Sequence, residues 1–232
     1  MQLTQYQEFI HKSRYARFLP EKKRRENWDE TVGRWTDYFA NRFPQFEHRI
    51  RKEVGPAIYN MDIFPSMRGM MTAGPALTRS ELAIYNCSYL TMNSIWGFWE
   101  TMYLLSKGSG VGYSVENRYV SRLPRIQKLK DPIHTYRILV EDSAEGWALA
   151  FRKLIENLYE GIPTQWDMSL IRPEGAPLMT FGGRASGPEP LHKLFEYTCD
   201  IFRRAQGERL KPIAVHSILC KVADAIVVGG VR

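Results

Sequence analysis

The chain has 232 residues, of which 44% are hydrophobic and 12% aromatic, and its 32 Lys/Arg against 25 Asp/Glu give a net charge of +7. That is too apolar and aromatic for a disordered tail, and long enough to bury a core. Three cysteines are too few for a disulfide scaffold and fit a reducing, cytoplasmic compartment. Neither a secretory h-region nor an apolar run of about 20 residues is visible, so no membrane partner is expected. The positive charge points to anionic partners, with nucleic acid and nucleotides not yet separable.

The first sixty residues read as helical. The basic run Ser13–Arg25 (SRYARFLPEKKRR) suits either phosphate binding or a solvated turn, and the interleaved Glu21 and Glu26 favour the turn. From Asn27 to Arg42, Trp28, Val32, Trp35, Tyr38 and Phe39 recur at helical spacing, and Phe43-Pro44 ends the helix because a residue before proline disfavours the α region. Residues 65–77 (PSMRGMMTAGPAL) are rich in Gly, Pro and Met and read as an ordered loop.

Ala83–Thr91 (AIYNCSYLT) reads as a short buried strand, and Ile95–Ser106 as a largely buried helix ended by glycines. Val111–Val115 is a strand. Arg137–Glu141 is another, followed by Ser143 as N-cap of a helix carrying Trp147, Phe151, Leu154, Ile155 and Leu158 on one side. Trp166–Ile171 is a short strand, and residues 172–187 form a long Gly/Pro-rich loop. A helix over 191–205 turns Leu194, Phe195, Thr198, Ile201, Phe202 and Ala205 inward and closes at Gly207; Ile213–Val228 is a last apolar helix. Strands alternating with such helices imply a parallel α/β sheet behind a helical segment.

Few generic motifs carry chemistry. Gly108–Gly112 follows a helix and precedes a strand, the reverse of a phosphate-binding loop, so a tight αβ turn accounts for it. His11, His48, His134, His192 and His216 are scattered, with no CxxC or HExxH, so no metal site is expected; GxSxG is also absent. Residues 182–188 (GGRASGP) suit either a phosphate cradle beside Arg184 or a turn leading into the next helix, capped by Ser186 or Glu189. Cys199, beside the buried stripe of its helix, and Cys220, in an apolar helical run, read as small core residues. Cys87, mid-strand between polar neighbours, leaves a core thiol and a redox group equally open.

In order along the chain, SRYARFLPEKKRRENWDETVGR, PSMRGMMTAGPAL, YNCSYL, GSGVGYSVE, EDSAEGWALA, DMSLIRPEGAPLMTFGGRASGPEPL and VVGGVR resemble the N-terminal half of a ribonucleotide reductase large chain. The likeness covers Ser13 to Arg232. It is to the adenosylcobalamin-dependent (class II) kind, particularly monomeric ribonucleoside-triphosphate reductases and phage relatives. The resemblance implies an α/β fold: a helical region (1–60), then about the first half of a ten-stranded α/β barrel (61–232), a five-stranded parallel half-barrel.

It also implies roles. Cys87 would be one of two cysteines oxidised to a disulfide as the ribose is reduced. Asn86, Gly110 and Ser66 would border a ribonucleoside triphosphate. Glu116, Asn117 and Arg118, in the segment Glu116–Ile126, and Arg232 in the GGVR turn would contact a deoxynucleoside triphosphate effector. Adenosylcobalamin and a thioredoxin-like reductant are the implied cofactor and partner. The second disulfide cysteine, the radical cysteine and much of the cobalamin site match nothing up to Arg232. The expectation is therefore a piece of a split or truncated enzyme, silent until joined by a separately encoded C-terminal half. Competing readings are a class I-like large-chain fragment and a non-catalytic nucleotide-binding module. Direct nucleic-acid binding is disfavoured because the charges are interspersed.

Overall fold

A computed structural model describes residues 3–177 and 184–228. By contacts the chain divides into two units, residues 1–86 and 87–232.

In the first unit, α1 (Gln5–Arg14) starts at a Thr4–Gln7 capping box. A small hairpin of β1 (Phe18–Leu19) and β2 (Arg24–Arg25) leads into α2 (Trp28–Arg42), whose Asn27 and Glu30 form a second capping box. As the apolar spacing requires, Trp28 and Val32 are buried; they pack with Ile58 and Met70. Phe43 is the C-cap, as the following proline dictates. A helical run then passes through α3 (Glu47–Arg49), a π-helical turn at Ile50–Val54 and α4 (Gly55–Tyr59).

The segment 65–77 is not a loop. It forms two short helices, α5 (Met67–Thr72) and α6 (Pro75–Arg79). Ser66 caps α5 by accepting the Gly69 N–H at 3.0 Å. At the other end Arg17 donates to the carbonyls of Met71 and Thr72, and Arg34 to those of Met70 and Ala73, at 2.9–3.2 Å. These are the orphan carbonyls that a short helix otherwise leaves to water. Glu26 holds the arginines in place: it takes two hydrogen bonds from Arg34, at 2.7 and 2.9 Å, and one from the Arg17 N–H at 3.0 Å. Much of the basic run is thus spent internally, since Lys22 and Arg24 also pair with Glu30.

The second unit contains two βαβ crossovers. β3 (Cys87–Thr91), α7 (Trp96–Ser106) and β4 (Gly110–Ser114) form the first, with β3 and β4 parallel. After α8 (Asn117–Val120), β5 (Tyr136–Leu139), α9 (Ala144–Glu160) and β6 (Thr164–Asp167) form the second, also parallel. α10 (Glu189–Arg204) and α11 (Pro212–Val228) follow. Among the described residues each parallel sheet has two strands, so a five-stranded half-barrel is not seen. β3 is shorter than expected because Glu81–Ile84 is a 3-10 turn, and β6 begins and ends earlier than the aromatic cluster suggests.

Ser143 caps α9 as expected, through the Gly146 N–H at 2.8 Å. α10 starts differently: its N-cap is Pro188, with no side-chain cap from Ser186 or Glu189. Phe98, Phe151, Phe195 and Phe202 are the largest fully buried side chains of one core that joins α7, α9, α10 and α11. Truncating such a phenylalanine to alanine typically costs about 3–5 kcal/mol.

Gly161 closes α9 in the left-handed region, at φ +67°. A Cβ there would lie 2.2 Å from the Lys128 carbonyl oxygen, because the strip 127–130 is bonded across this helix end through Gln127 N–Tyr159 O and Lys130 N–Gly161 O. Gly161→Ala should therefore destabilise the protein by more than about 2 kcal/mol in urea unfolding, combining backbone strain with a backbone clash.

A second prediction concerns acid. Buried His11 bonds through Nε2 to the Thr31 hydroxyl at 2.8 Å, and that hydroxyl donates onward to Glu26 at 2.9 Å. The Thr31 oxygen must then accept from His11, which leaves Nδ1 unprotonated and without a hydrogen-bond partner among the described residues. Burial, reinforced by Lys12, lowers the imidazole pKa. Burial alone would raise the Glu26 carboxyl, but Arg34, the Arg17 N–H and Thr31 hold it below its ordinary value. Both groups bind fewer protons folded than unfolded, so stability is complete above about pH 6.5 and falls on acidification. The His11 contribution is lost first and that of Glu26 at lower pH. The urea midpoint should drop from pH 7 to pH 4, and His11→Gln should flatten the upper part of that profile.

Candidate functional site

β3 and β4 pair in register from Cys87 opposite Gly110 to Thr91 opposite Ser114. Paired residues of a parallel ladder share a face, and faces alternate along the strand. Leu90, Val111 and Tyr113 pack against the core. The opposite face therefore carries Cys87, Tyr89 and Thr91 with Gly110, Gly112 and Ser114. Cys87 is exposed and Tyr89 is 67% exposed, so this strand is not buried as its composition suggests. Cys87 opens the strand instead of lying in its middle.

The two glycines add no side chain to this face. A Cβ on Gly112 would make only ordinary contact, with Tyr89 at 3.6 Å and the Ser88 carbonyl at 3.7 Å. An exposed thiol on a strand, next to a neighbour without side chains, is open to a flat ligand and to a second thiol. The turn Gly108–Gly110 behaves as its order along the chain requires: it ends α7, with Gly108 at φ +81°, and feeds β4. Ser109 and Ser88 tie the underside together, through Ser109 Oγ–Ser88 Oγ at 3.3 Å and Ser88 Oγ–Gly110 O at 3.1 Å.

The other expected site residues fall into separate places. Asn86, exposed, precedes Cys87 in the chain. Ser66 is in the first unit and its hydroxyl is occupied as the cap of α5. Glu116 is the N-cap of α8, where it accepts from Ser114 Oγ at 3.0 Å and from Arg118 at 3.1 Å. Asn117 and Arg118 are exposed on that short helix, and the Arg118 guanidinium lies 4.8 Å over the Tyr119 ring. Arg232, the glycines of the GGVR turn, and Gly182 and Gly183 lie outside the described residues.

The remaining cysteines differ from each other. Cys199 is half-buried, and burial pushes its thiol up to about 11. Cys220 is exposed, not in the core: α11 buries Val215, Ile218, Leu219 and Val222 and turns His216 and Cys220 outward. Cys220 meets His216 and Tyr113, a cluster that the apolar appearance of its helix conceals. Among the described residues, no three His, Cys, Asp or Glu side chains gather to hold a metal ion, and no helix is long and apolar enough to cross a membrane.

Residues 114–202 match the family described as B12-dependent ribonucleotide reductase, insertion domain. The adenosylcobalamin-dependent ribonucleoside-triphosphate reductases of Lactobacillus acidophilus and Lactobacillus leichmannii are each 27% identical over alignments covering 96% of this chain. That of Levilactobacillus brevis is 26% identical. The chain spans 39% of the length of these relatives. The L. acidophilus alignment runs over 294 positions, more than the 232 residues present here, so that relative carries extra residues within the matched region. A crystal structure of a B-12 dependent (class II) ribonucleotide reductase superposes with a TM-score of 0.84 at 25% identity, over 94% of this chain and 40% of the other. Sequence and fold together liken this chain to the N-terminal part of the B12-dependent, class II ribonucleotide reductases.

Proposed function

We propose that this chain is part of a cytoplasmic adenosylcobalamin-dependent enzyme that reduces ribonucleoside triphosphates to deoxyribonucleoside triphosphates. The observation that carries the reading is the β3–β4 pair, which sets an exposed Cys87 thiol beside glycine in a fold shared with a class II reductase. In this reading β3, α7 and β4 open a ten-stranded α/β barrel behind the helical N-terminal region.

Cys87 acts as one of two thiols. Together they give up two electrons and two protons and become a disulfide, while the ribose 2′-hydroxyl leaves as water and the 2′-carbon gains hydrogen. A thiol on a paired strand suits this task, since the ladder fixes its position against the sugar and its exposure admits the partner thiol. The bare backbone at Gly110 lets the sugar approach, with Asn86 bordering it. Glu116, Asn117 and Arg118, with Arg232, contact the deoxynucleotide effector, and a thioredoxin-like dithiol restores the pair.

Adenosylcobalamin would supply the radical when bound. An open cleft of about 540 Å³ beside Tyr38, Arg42 and Arg79, and a slot of about 200 Å³ beside Leu158, Cys199 and Phe202, are too small for a corrin with its nucleotide tail. In this reading the chain supplies only part of the cobalamin site and is inactive by itself.

Reduction of CTP with adenosylcobalamin and a dithiol tests this. The isolated chain should give no product, and the chain assembled with the polypeptide supplying the second cysteine should turn over. In that assembly Cys87→Ser should abolish dithiol-dependent multiple turnover. Turnover by the isolated chain, or an unchanged rate in Cys87→Ser, would sink the proposal.

A further inference from the structure

Cys220 stands in a three-group cluster with His216 and with Tyr113, whose side chain leaves β4 on the face opposite Cys87. The Tyr113 hydroxyl is 3.0 Å from His216 Nδ1 and 3.5 Å from Cys220 Sγ, and Sγ is 3.5 Å from His216 Nε2. His216 and Cys220 are four residues apart on α11, so they lie on one side of the helix, and both are exposed. We propose that Cys220 is a nucleophilic thiol, activated by His216 and Tyr113, that exchanges with low-molecular-weight disulfides and is a site of reversible thiolation.

The hydrogen-bond accounting supports this. In the neutral form the thiol donates to Nε2, Nδ1–H donates to the Tyr113 oxygen, and the Tyr113 hydroxyl donates to sulfur. When the thiol proton moves to Nε2, the same three contacts persist. The imidazolium then donates to the thiolate and to the tyrosine oxygen, and the tyrosine donates to the thiolate. Every donor has an acceptor in both states, and only one proton has shifted. Burial, and then the hydrogen bond and charge of Cys220, raise the Tyr113 pKa, which keeps the phenol protonated as a donor.

In the exchange step the Cys220 thiolate attacks one sulfur of the small disulfide. The new S–S bond forms as the old one breaks, and the departing thiolate takes the proton from the His216 imidazolium. Oxidant and leaving group both come from the small disulfide. Among the described residues Cys199 has no such arrangement, and it serves as an internal comparison.

The test is to incubate the full chain with glutathione disulfide, quench it with acid at intervals, and follow adducts at all three cysteines by peptide mass spectrometry. Cys220 should react about ten-fold or more faster than Cys199. His216→Ala and, more weakly, Tyr113→Phe should slow Cys220 while the Cys87 rate stays unchanged, which also reports that the fold is intact. His216→Gln, closer in size and unable to take the proton, should match His216→Ala. The proposal is overturned if Cys220 in the folded chain reacts no faster than in the urea-unfolded chain, or if both His216 variants leave its rate unchanged.

Discussion

Parallel strands cannot be joined by a tight turn. The chain must travel back to the starting end before the second strand begins, and here α7 makes that return between β3 and β4. Much else follows from this crossover. It needs an apolar helix on one face of the pair, which fixes Leu90, Val111 and Tyr113 as the core-facing residues. Strand alternation then puts Cys87 on the other face, and the register sets Gly110 and Gly112 on that same face. The thiol that the proposed chemistry requires is thus exposed for the same reason that the core is buried.

A comparable economy governs the charges of the first unit. α5 is only six residues long and contains a glycine, so propensity alone would not hold it. Ser66 satisfies one end, and Arg17 and Arg34 satisfy the carbonyls at the other. Two guanidinium groups so close would repel, and the Arg34 charge lowers the Arg17 pKa after burial has done so. Glu26, itself 3% exposed, offsets that repulsion. A net charge of +7 therefore overstates what is free to attract anions, because several of its cations hold carbonyl groups and carboxylates of the same chain.

These features also separate what was legible in the sequence from what was not. The helices over 28–42, 96–106, 144–160 and 212–228 follow local rules of apolar spacing, capping and proline placement, and they form within a few residues of expectation. The glycine turn before β4 was legible from order alone. α5 was not, since what holds its end lies more than thirty residues away in Arg17 and Arg34. The role of Cys220 was hidden differently. Its helix is apolar enough to suggest burial all round, yet only the side bearing Val215, Ile218, Leu219 and Val222 meets the core, and the partner Tyr113 is more than a hundred residues distant. Cys87 showed polar neighbours in an apolar segment, a signal too weak to assign chemistry without the ordered set of motifs.

The match to an insertion domain begins at Ser114, the last residue of β4, and ends within α10. The matched stretch shares a core with its neighbours: Phe151, Leu154, Phe195 and Phe202 lie in one cluster with Phe98 and Met102 of α7 and with Ile218, Leu219 and Val222 of α11. Lys107 at the end of α7 pairs with Glu145 in the first turn of α9, which places a cation at the C-terminus of one helix and an anion at the N-terminus of the other. The second βαβ unit is therefore coupled to the first by buried surface and by charge. Because α10 packs on α9, α9 on α7, and α7 on β3 and β4, the two crossovers are built around one continuous core.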